Sequence, residues 1–291
     1  MSRRGWFLFI LVGFLWGIPY LFIKVAVDPD NGFTPAIVVC LRTAIGAAIL
    51  IPIAMKRKQL MPAIRGIKYV APYALLEMIG PWILIGTAEQ KISSGLAGLL
   101  IASVPIWATI FASMQGDKTV WHRTRLAGLV LGFIGLVAVV GIESIKGGSD
   151  ALSIFMVLVA AVGYSYAVMM VQRALPGVSG IAINGVAMAI SALFYLPFTI
   201  VQWPTHEIST AAINSIIGLG VLSTGAAFVA FFALASIIGV ARGSLVTYLN
   251  TAFAVVLGVL ILGEPLTIGM ALGLPLVLVG SYFASRKPVT K

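Results

Sequence analysis

TAEQKISSGLAGLLIASVPIWATIFASMQGDK, residues 87–118, is the stretch on which the fold turns. Between Lys91 and Asp117 it carries no charged side chain. A helix needs roughly 20 mostly apolar residues to cross a bilayer core about 30 Å thick. The uncharged run is long enough for one crossing. The same pattern returns 147 residues later as LASIIGVARGSLVTYLNTAFAVVLGVLILGEP, residues 234–265. Ala88 falls on Ala235, and Gly116-Asp117 on Gly263-Glu264. After a two-residue gap Gly128 and Gly135 match Gly273 and Gly280, and Pro52 closes one apolar run much as Pro197 closes another. The chain reads as one unit written twice.

Outward from that pair, the composition leaves little choice of solvent. Of the 291 residues 60% are hydrophobic and 10% charged, and the mean hydropathy is +1.08. Soluble domains are about a quarter charged, so lipid must cover this surface. Apolar spans are expected near 6–27, 34–55, 68–88, 94–115, 125–142, 152–172, 180–201, 211–234, 243–262 and 267–285. They leave only short connections and no soluble domain. The first span is longer than a secretory h-region and no small-residue cleavage site follows it, so it is expected to remain uncleaved.

The formal charge of +10 invites a nucleic-acid reading, but the basic residues punctuate the apolar runs instead of clustering on one surface. With the N-terminus placed inside, fifteen of the 19 Lys and Arg residues fall in cytoplasmic segments. These include Arg3, Lys56, Arg65, Lys118, Arg123, Arg173, Arg242, Arg286, Lys287 and Lys291. Only Lys91 and Lys146 fall outside, and Lys24 and Arg42 lie within spans. That is the positive-inside bias of a membrane protein with both termini cytoplasmic, and it excludes a nucleic-acid binder. Each half then holds five crossings. Five is odd, so the second copy enters the membrane from the opposite side, the inverted-repeat plan of many secondary transporters. The expected fold is an all-α membrane protein. Its ten transmembrane helices form two inverted five-helix repeats, residues 1–146 and 147–291, around a central cavity.

Three stretches resemble the EamA family of the drug/metabolite transporter superfamily. They are GFLWGIPYLFIK (Gly13 to Lys24), CLRTAIGA around Arg42, and LGEPLTIGMALGLPLVLVGSYF (Leu262 to Phe283). Gly263-Glu264 followed by spaced glycines is the most telling part. Pattern and length look closest to the YddG-type amino acid exporters. The chain departs from that pattern at GYSYAV in the sixth span, where many relatives carry Trp, and at Asp117, where the second half has Glu264. The resemblance implies export of amino acids or similar small metabolites across a bacterial inner membrane, by a cavity open to one side at a time. The superfamily also holds sugar-nucleotide and drug carriers, so fold transfers more firmly than substrate.

Ionisable side chains inside spans are the first functional candidates, since each costs roughly 2.5–3.5 kcal/mol at a helix centre. Lys24 lies about one turn from the outer end of its helix, within snorkelling reach. Arg42 is some 10 Å into the second span; it either snorkels or pairs with a carboxylate of protein or substrate. Glu77, near mid-membrane, either carries a proton, receives a substrate ammonium, or bonds a neighbouring helix. Tyr73 one turn before it and Met78 beside it place Glu77 toward the cavity. Trp16 and Tyr20 share a face at i, i+4. Trp82 follows Gly80-Pro81, Trp107 lies one turn after Ser103, and Tyr164, Tyr166, Tyr248 and Asn250 sit deep in their spans. Apolar walls with a few polar tips suit a site for amphipathic metabolites; for any single ring, core packing is the alternative.

Pro19, Pro81, Pro105 and Pro275 interrupt helical bonding, with Pro19 and Pro105 the expected hinges. Gly128-Gly132 and Gly269-Gly273 form small-residue faces suited to close helix packing. No cofactor, metal or enzymatic chemistry is expected: His122 and His206 stand in loops without partners, and no phosphate-binding loop or metal-ligand cluster occurs. Cys40 is alone, so no internal disulfide is possible. The rivals are a carrier of drugs or other metabolites and, in another class, an intramembrane enzyme or scaffold. The expected partners are amino acids as substrates and the lipid bilayer, and the sequence sets no oligomeric state.

Overall fold

The computed structural model describes residues 2–116, 118–145, 150–238 and 246–285. Asp117, Lys146, Arg242, Arg286, Lys287 and Lys291, the 146/147 border and the start of the ninth span lie outside the described residues. The described secondary structure is helical throughout. Its segments are α1 (Arg3–Ala26), α2 (Pro35–Lys56), the short α3 (Leu60–Arg65), α4 (Ile67–Glu89), α5 (Ser94–Met114), α6 (Arg123–Ile145), α7 (Ala151–Ala174), α8 (Gly180–Val201), α9 (Thr210–Ile238), α10 (Val246–Leu262) and α11 (Ile268–Ser285). Among the described residues seven of these, α1, α2, α4, α5, α7, α8 and α9, are long and apolar enough to cross a membrane. α10 and α11 are shorter apolar helices. Large apolar side chains face outward all round, among them Phe7, Leu193, Ile200 and Leu260. Such a surface marks a lipid-facing protein.

Local chemistry sets the helix ends. Ser2, Ser93, Asp150 and Ser209 precede α1, α5, α7 and α9, and each side chain accepts a main-chain N–H two or three residues into its helix. These contacts satisfy donors that a helix start leaves orphaned. Pro35 opens α2, where its missing N–H costs nothing.

Two helices widen and one breaks. α4 contains a π segment, Leu75–Ile79, just before Gly80-Pro81. The Tyr195 hydroxyl of α8 donates to the Ile79 carbonyl at 2.8 Å. α9 contains a longer π segment, Leu219–Ala226. At the 147-residue shift of the sequence repeat, 75–79 falls on 222–226, inside it. In α5 the helix is interrupted at Ala102-Ser103, two to three residues before Pro105. Three serines accept the consequences: Ser103 Oγ donates to Leu100 O at 2.6 Å, Ser281 Oγ to Ala102 O at 3.0 Å and Ser165 Oγ to Val104 O at 2.9 Å. Pro105 thus stands at a discontinuity, whereas α1 runs through Pro19 unbroken.

The helices of the two halves contact each other reciprocally. α1 packs on α9 and α10, and α7 packs on α4 and α5. α2 packs on α8, and α6 on α11. The last two pairs are antiparallel: Thr34 meets Gln202, Cys40 meets Ala192 and Leu50 meets Gly185, while Gly128 meets Ala284 and Gly135 meets Leu276. Small residues permit this closeness. A side chain on Gly280 would collide with the backbone of Gly132. The α11 partner of the Gly128-Gly132 face is therefore Gly280. In a bilayer, close packing of this kind takes over the work that hydrophobic burial does in water.

Candidate functional site

Arg42 is the centre of the polar interior. It is 5% exposed, two turns into α2, at a depth set by how α2 meets α9. Ile45 and Ile49 sit against Gly220 and Gly225, and Gly46 faces Thr224 and Met188. This knob-and-hole contact brings the Thr224 hydroxyl to 3.2 Å from Arg42 Nη2, which donates to it. From the other side the guanidinium lies 3.7 Å from the centre of the Trp82 ring. A cation over an indole face is attracted by about 0.5–2 kcal/mol. The Nε of Arg42 is buried and has no hydrogen-bond partner.

Around this cation stand groups from three further helices. Tyr20 of α1, Tyr164 of α7 and Glu89 at the end of α4 share its electrostatic field, and the Trp82 indole faces the Tyr164 hydroxyl. Deeper along α4, Tyr73 donates to Asn184 Oδ1 at 3.0 Å. Glu77 lies in the π segment, facing Tyr73 and Tyr164. The residue is half-buried, and its Oε2 is buried and unpartnered. Glu89 is fully buried, with both carboxyl oxygens unpartnered. Buried polar atoms in proteins are almost always hydrogen-bonded. An orphaned guanidinium nitrogen and three orphaned carboxyl oxygens in one interior are what a site for a small charged solute provides.

The structure thus brings Tyr20, Arg42, Tyr73, Glu77, Trp82 and Tyr164 of the expected residues into one connected region. The others make contacts of their own. Trp16 packs on Phe228 and Phe231, with ring centres 5.7 and 4.8 Å away. Met78 is fully buried in the packing between α4 and α8. Ser103 serves the α5 break, and Trp107 donates its indole N–H to Ser103 Oγ at 3.2 Å. Tyr248 meets Tyr282 edge-on. Tyr166 is exposed against Phe111. Asn250 is buried, accepts from Thr251 at 3.3 Å, and lies where α10 crosses Gly17.

Three residues of the region escaped the sequence. Glu89 falls one residue beyond the span expected at 68–88, Thr224 carries no charge, and Asn184 is one polar residue within an apolar run. The Lys24 ammonium donates to the main-chain oxygens of Glu89 and Ile92 at 2.5 and 3.0 Å, closing the C-terminus of α4. A shallow apolar groove along α6, lined by Leu126, Val130 and Ile134, faces outward and does not touch the region.

A lipid-faced helical bundle with buried, unpaired charged groups belongs to the transporter class. The chain belongs to the EamA-like transporter family, which matches it over residues 3–141 and again over 151–286. It is 27% identical over 288 residues to the uncharacterized transporter YoaV of Bacillus subtilis, covering 96% of this chain and 97% of that one. It is 25% identical to a probable terminal-alkyne amino-acid exporter of Streptantibioticus cattleyicolor, covering 94% and 92%. A solved crystal structure superposes with a TM-score of 0.66 at 18% identity, covering 97% of this chain and 98% of that one. That likeness speaks to fold alone. The protein is a multi-pass membrane transporter of the EamA type.

Proposed function

We propose that this protein is a secondary transporter that exports amino acids, aromatic and other neutral ones among them, or similarly small metabolites. It would work by alternating access across a bacterial inner membrane. The orphaned Nε of Arg42 carries this reading. A guanidinium held by Trp82 and Thr224, with its buried Nε unpartnered, is made to receive a carboxylate. The unpartnered carboxyl oxygens of α4 are suited to an ammonium, and Tyr20, Trp82 and Tyr164 to a neutral or aromatic side chain. The exporter of Streptantibioticus cattleyicolor, an amino-acid carrier by its name, agrees with this class.

The architecture in this reading is ten crossings in two inverted halves, residues 1–146 and 147–291, with both termini cytoplasmic. Corresponding helices support it: α2 and α8 are each the second helix of a half, α6 and α11 the fifth, and both pairs run antiparallel. Copies related by an axis along the membrane normal would run parallel there. The matched π segments and the double family match point the same way. The interrupted α5, beside Pro105, is the helix best placed to bend.

The test is flux into liposomes of the purified protein with a panel of radiolabelled L-amino acids. Saturable uptake that Arg42→Ala abolishes is the expected result. Absence of flux for every amino acid, with the protein folded, would overturn the assignment.

A further inference from the structure

Glu89 is the least satisfied charged group among the described residues. It is 0% exposed and neither carboxyl oxygen has a hydrogen-bond partner. The groups facing it are Lys24 and Tyr20 from α1, Arg42 from α2, and Glu264 from the segment after α10. Lys24 donates to two main-chain oxygens, one of them that of Glu89 itself. Glu264 has both carboxyl oxygens occupied by Ser94 and Gly95. An ionised carboxylate buried without donors beside a second carboxylate is strongly disfavoured unless something neutralises it.

We propose that Glu89 carries a proton in the substrate-free protein and exchanges it for the ammonium of the substrate. In that exchange the carboxyl O–H bond breaks. The proton leaves to water on the side the substrate came from, and the ionised carboxylate accepts hydrogen bonds from the ammonium. Arg42 holds the substrate carboxylate meanwhile. The inference rests on reading the Arg42 region as an amino acid site and adds its coupling ion. Proton and ammonium compete for one carboxylate, so they cross in opposite directions. One proton enters for each zwitterion exported.

Geometry selects Glu89 over Glu77. An amino acid holds its two charges on neighbouring carbons, so its acid and base partners must be near each other. Glu89 shares the field of Arg42, whereas Glu77 faces Tyr73 and Tyr164. Geometry also selects a proton over a metal cation. The main-chain oxygens of Glu89 and Ile92 that would coordinate one are already held by the Lys24 ammonium. No group of three or more His, Cys, Asp or Glu suited to a metal ion occurs among the described residues.

The experiment has two arms. In the first, full-length protein in weakly buffered detergent receives a mixture of neutral L-amino acids while a dye reads pH, and the same mixture is loaded into liposomes with an acidic exterior. Wild type should release one proton per molecule, and outward flux should rise several-fold with the gradient. Glu89→Gln should release none and lose the gradient response, and Glu89→Asp should retain both. Amino acid flux without proton counter-movement, or coupling intact in Glu89→Gln, would sink the inference while sparing the transport reading. In the second arm, infrared spectroscopy of substrate-free protein reads the carbonyl stretch of protonated carboxyls without reference to transport. Loss of a band in Glu89→Gln supports the proton on Glu89 even if no amino acid moves, and an unchanged spectrum refutes it.

Discussion

Glu264 Oε1 accepts the main-chain N–H of Ser94 at 2.8 Å while Oε2 accepts the Ser94 hydroxyl at 2.8 Å and the Gly95 N–H at 3.1 Å. A carboxylate from the second half of the chain thereby closes the start of a helix from the first. Gly258 has no side chain where Glu264 Oε2 comes closest, and Gly263, at φ +66°, turns the chain to deliver the carboxylate. The glycine–glutamate pair that carried the family resemblance is thus a structural cap. Hydrogen bonds to a charged group are worth about 1.5–3 kcal/mol each, and they do not simply add. Glu264→Ala should therefore lower the stability of the detergent-solubilised protein by about 2–3 kcal/mol, with Glu264→Gln in between. A melting midpoint equal to wild type would contradict the capping role.

The α6–α11 contact gives a second expectation. A side chain at Gly280 meets the backbone of Gly132, which cannot yield as a flexible side chain would. Gly280→Val should force the helices apart and lower stability by more than about 1–3 kcal/mol, the usual range for overpacking. Gly116→Ala has open space around it, but a φ of +92° strains any side chain. It should lower stability without disturbing helix packing. Crosslinking between α6 and α11 separates the two: it should fall in Gly280→Val and persist in Gly116→Ala.

Asp150 links stability to pH. Its carboxylate accepts the Ser153 N–H at 2.9 Å and hydroxyl at 2.8 Å, with Lys91 at 3.7 Å. The Ser153 bonds, and after them Lys91, hold it below the usual carboxylate range. A group whose value falls on folding contributes stability that is complete above its unfolded value, about 3.9, and is lost as pH drops through the folded one. Asp150→Asn should therefore be less stable than wild type at pH 7, and the gap should close on acidification below about pH 4. Salt should change it little, because the ion pair is exposed and the serine bonds are the larger cause. A gap that persists at pH 3 would contradict this account.

How much of this was legible follows from which physics writes itself into one dimension. Hydrophobic length does. The span expected at 180–201 is α8 to the residue, and the one expected at 34–55 is displaced by one. Burial of polar atoms was also readable for Arg42 and Glu77, because an ionisable residue amid apolar ones advertises its cost. Direction was not. Trp16, Trp107 and Tyr248 were as deep as Tyr20 and Tyr164, yet their rings meet other aromatics or a serine, since only tertiary packing decides which face looks inward. Glu89 was hidden because α4 buries a residue beyond the apolar run, under Lys24. The π segments left no trace in composition; only their equal placement in the two halves makes sense of them afterwards.

Arg42→Lys is the sharpest test of the site. Lysine keeps the charge but loses the planar face that lies on Trp82 and the fork that reaches Thr224 with one nitrogen while leaving another free. Its ammonium has three donors at one point, so it can neutralise a carboxylate but cannot bind it side-on from a fixed plane. Loss of the stacking and of one oriented bond should amount to about 1.4 kcal/mol, a tenfold rise in the apparent KM for amino acids. Fold and membrane insertion should persist, because the buried charge persists. Trp82→Phe removes the better cation-binding face while keeping a ring, and should raise KM in the same direction by less. Combining the two should give less than the product of their effects, because both act on one guanidinium contact. A double variant whose loss is fully multiplicative would show that Trp82 and Arg42 serve the substrate independently.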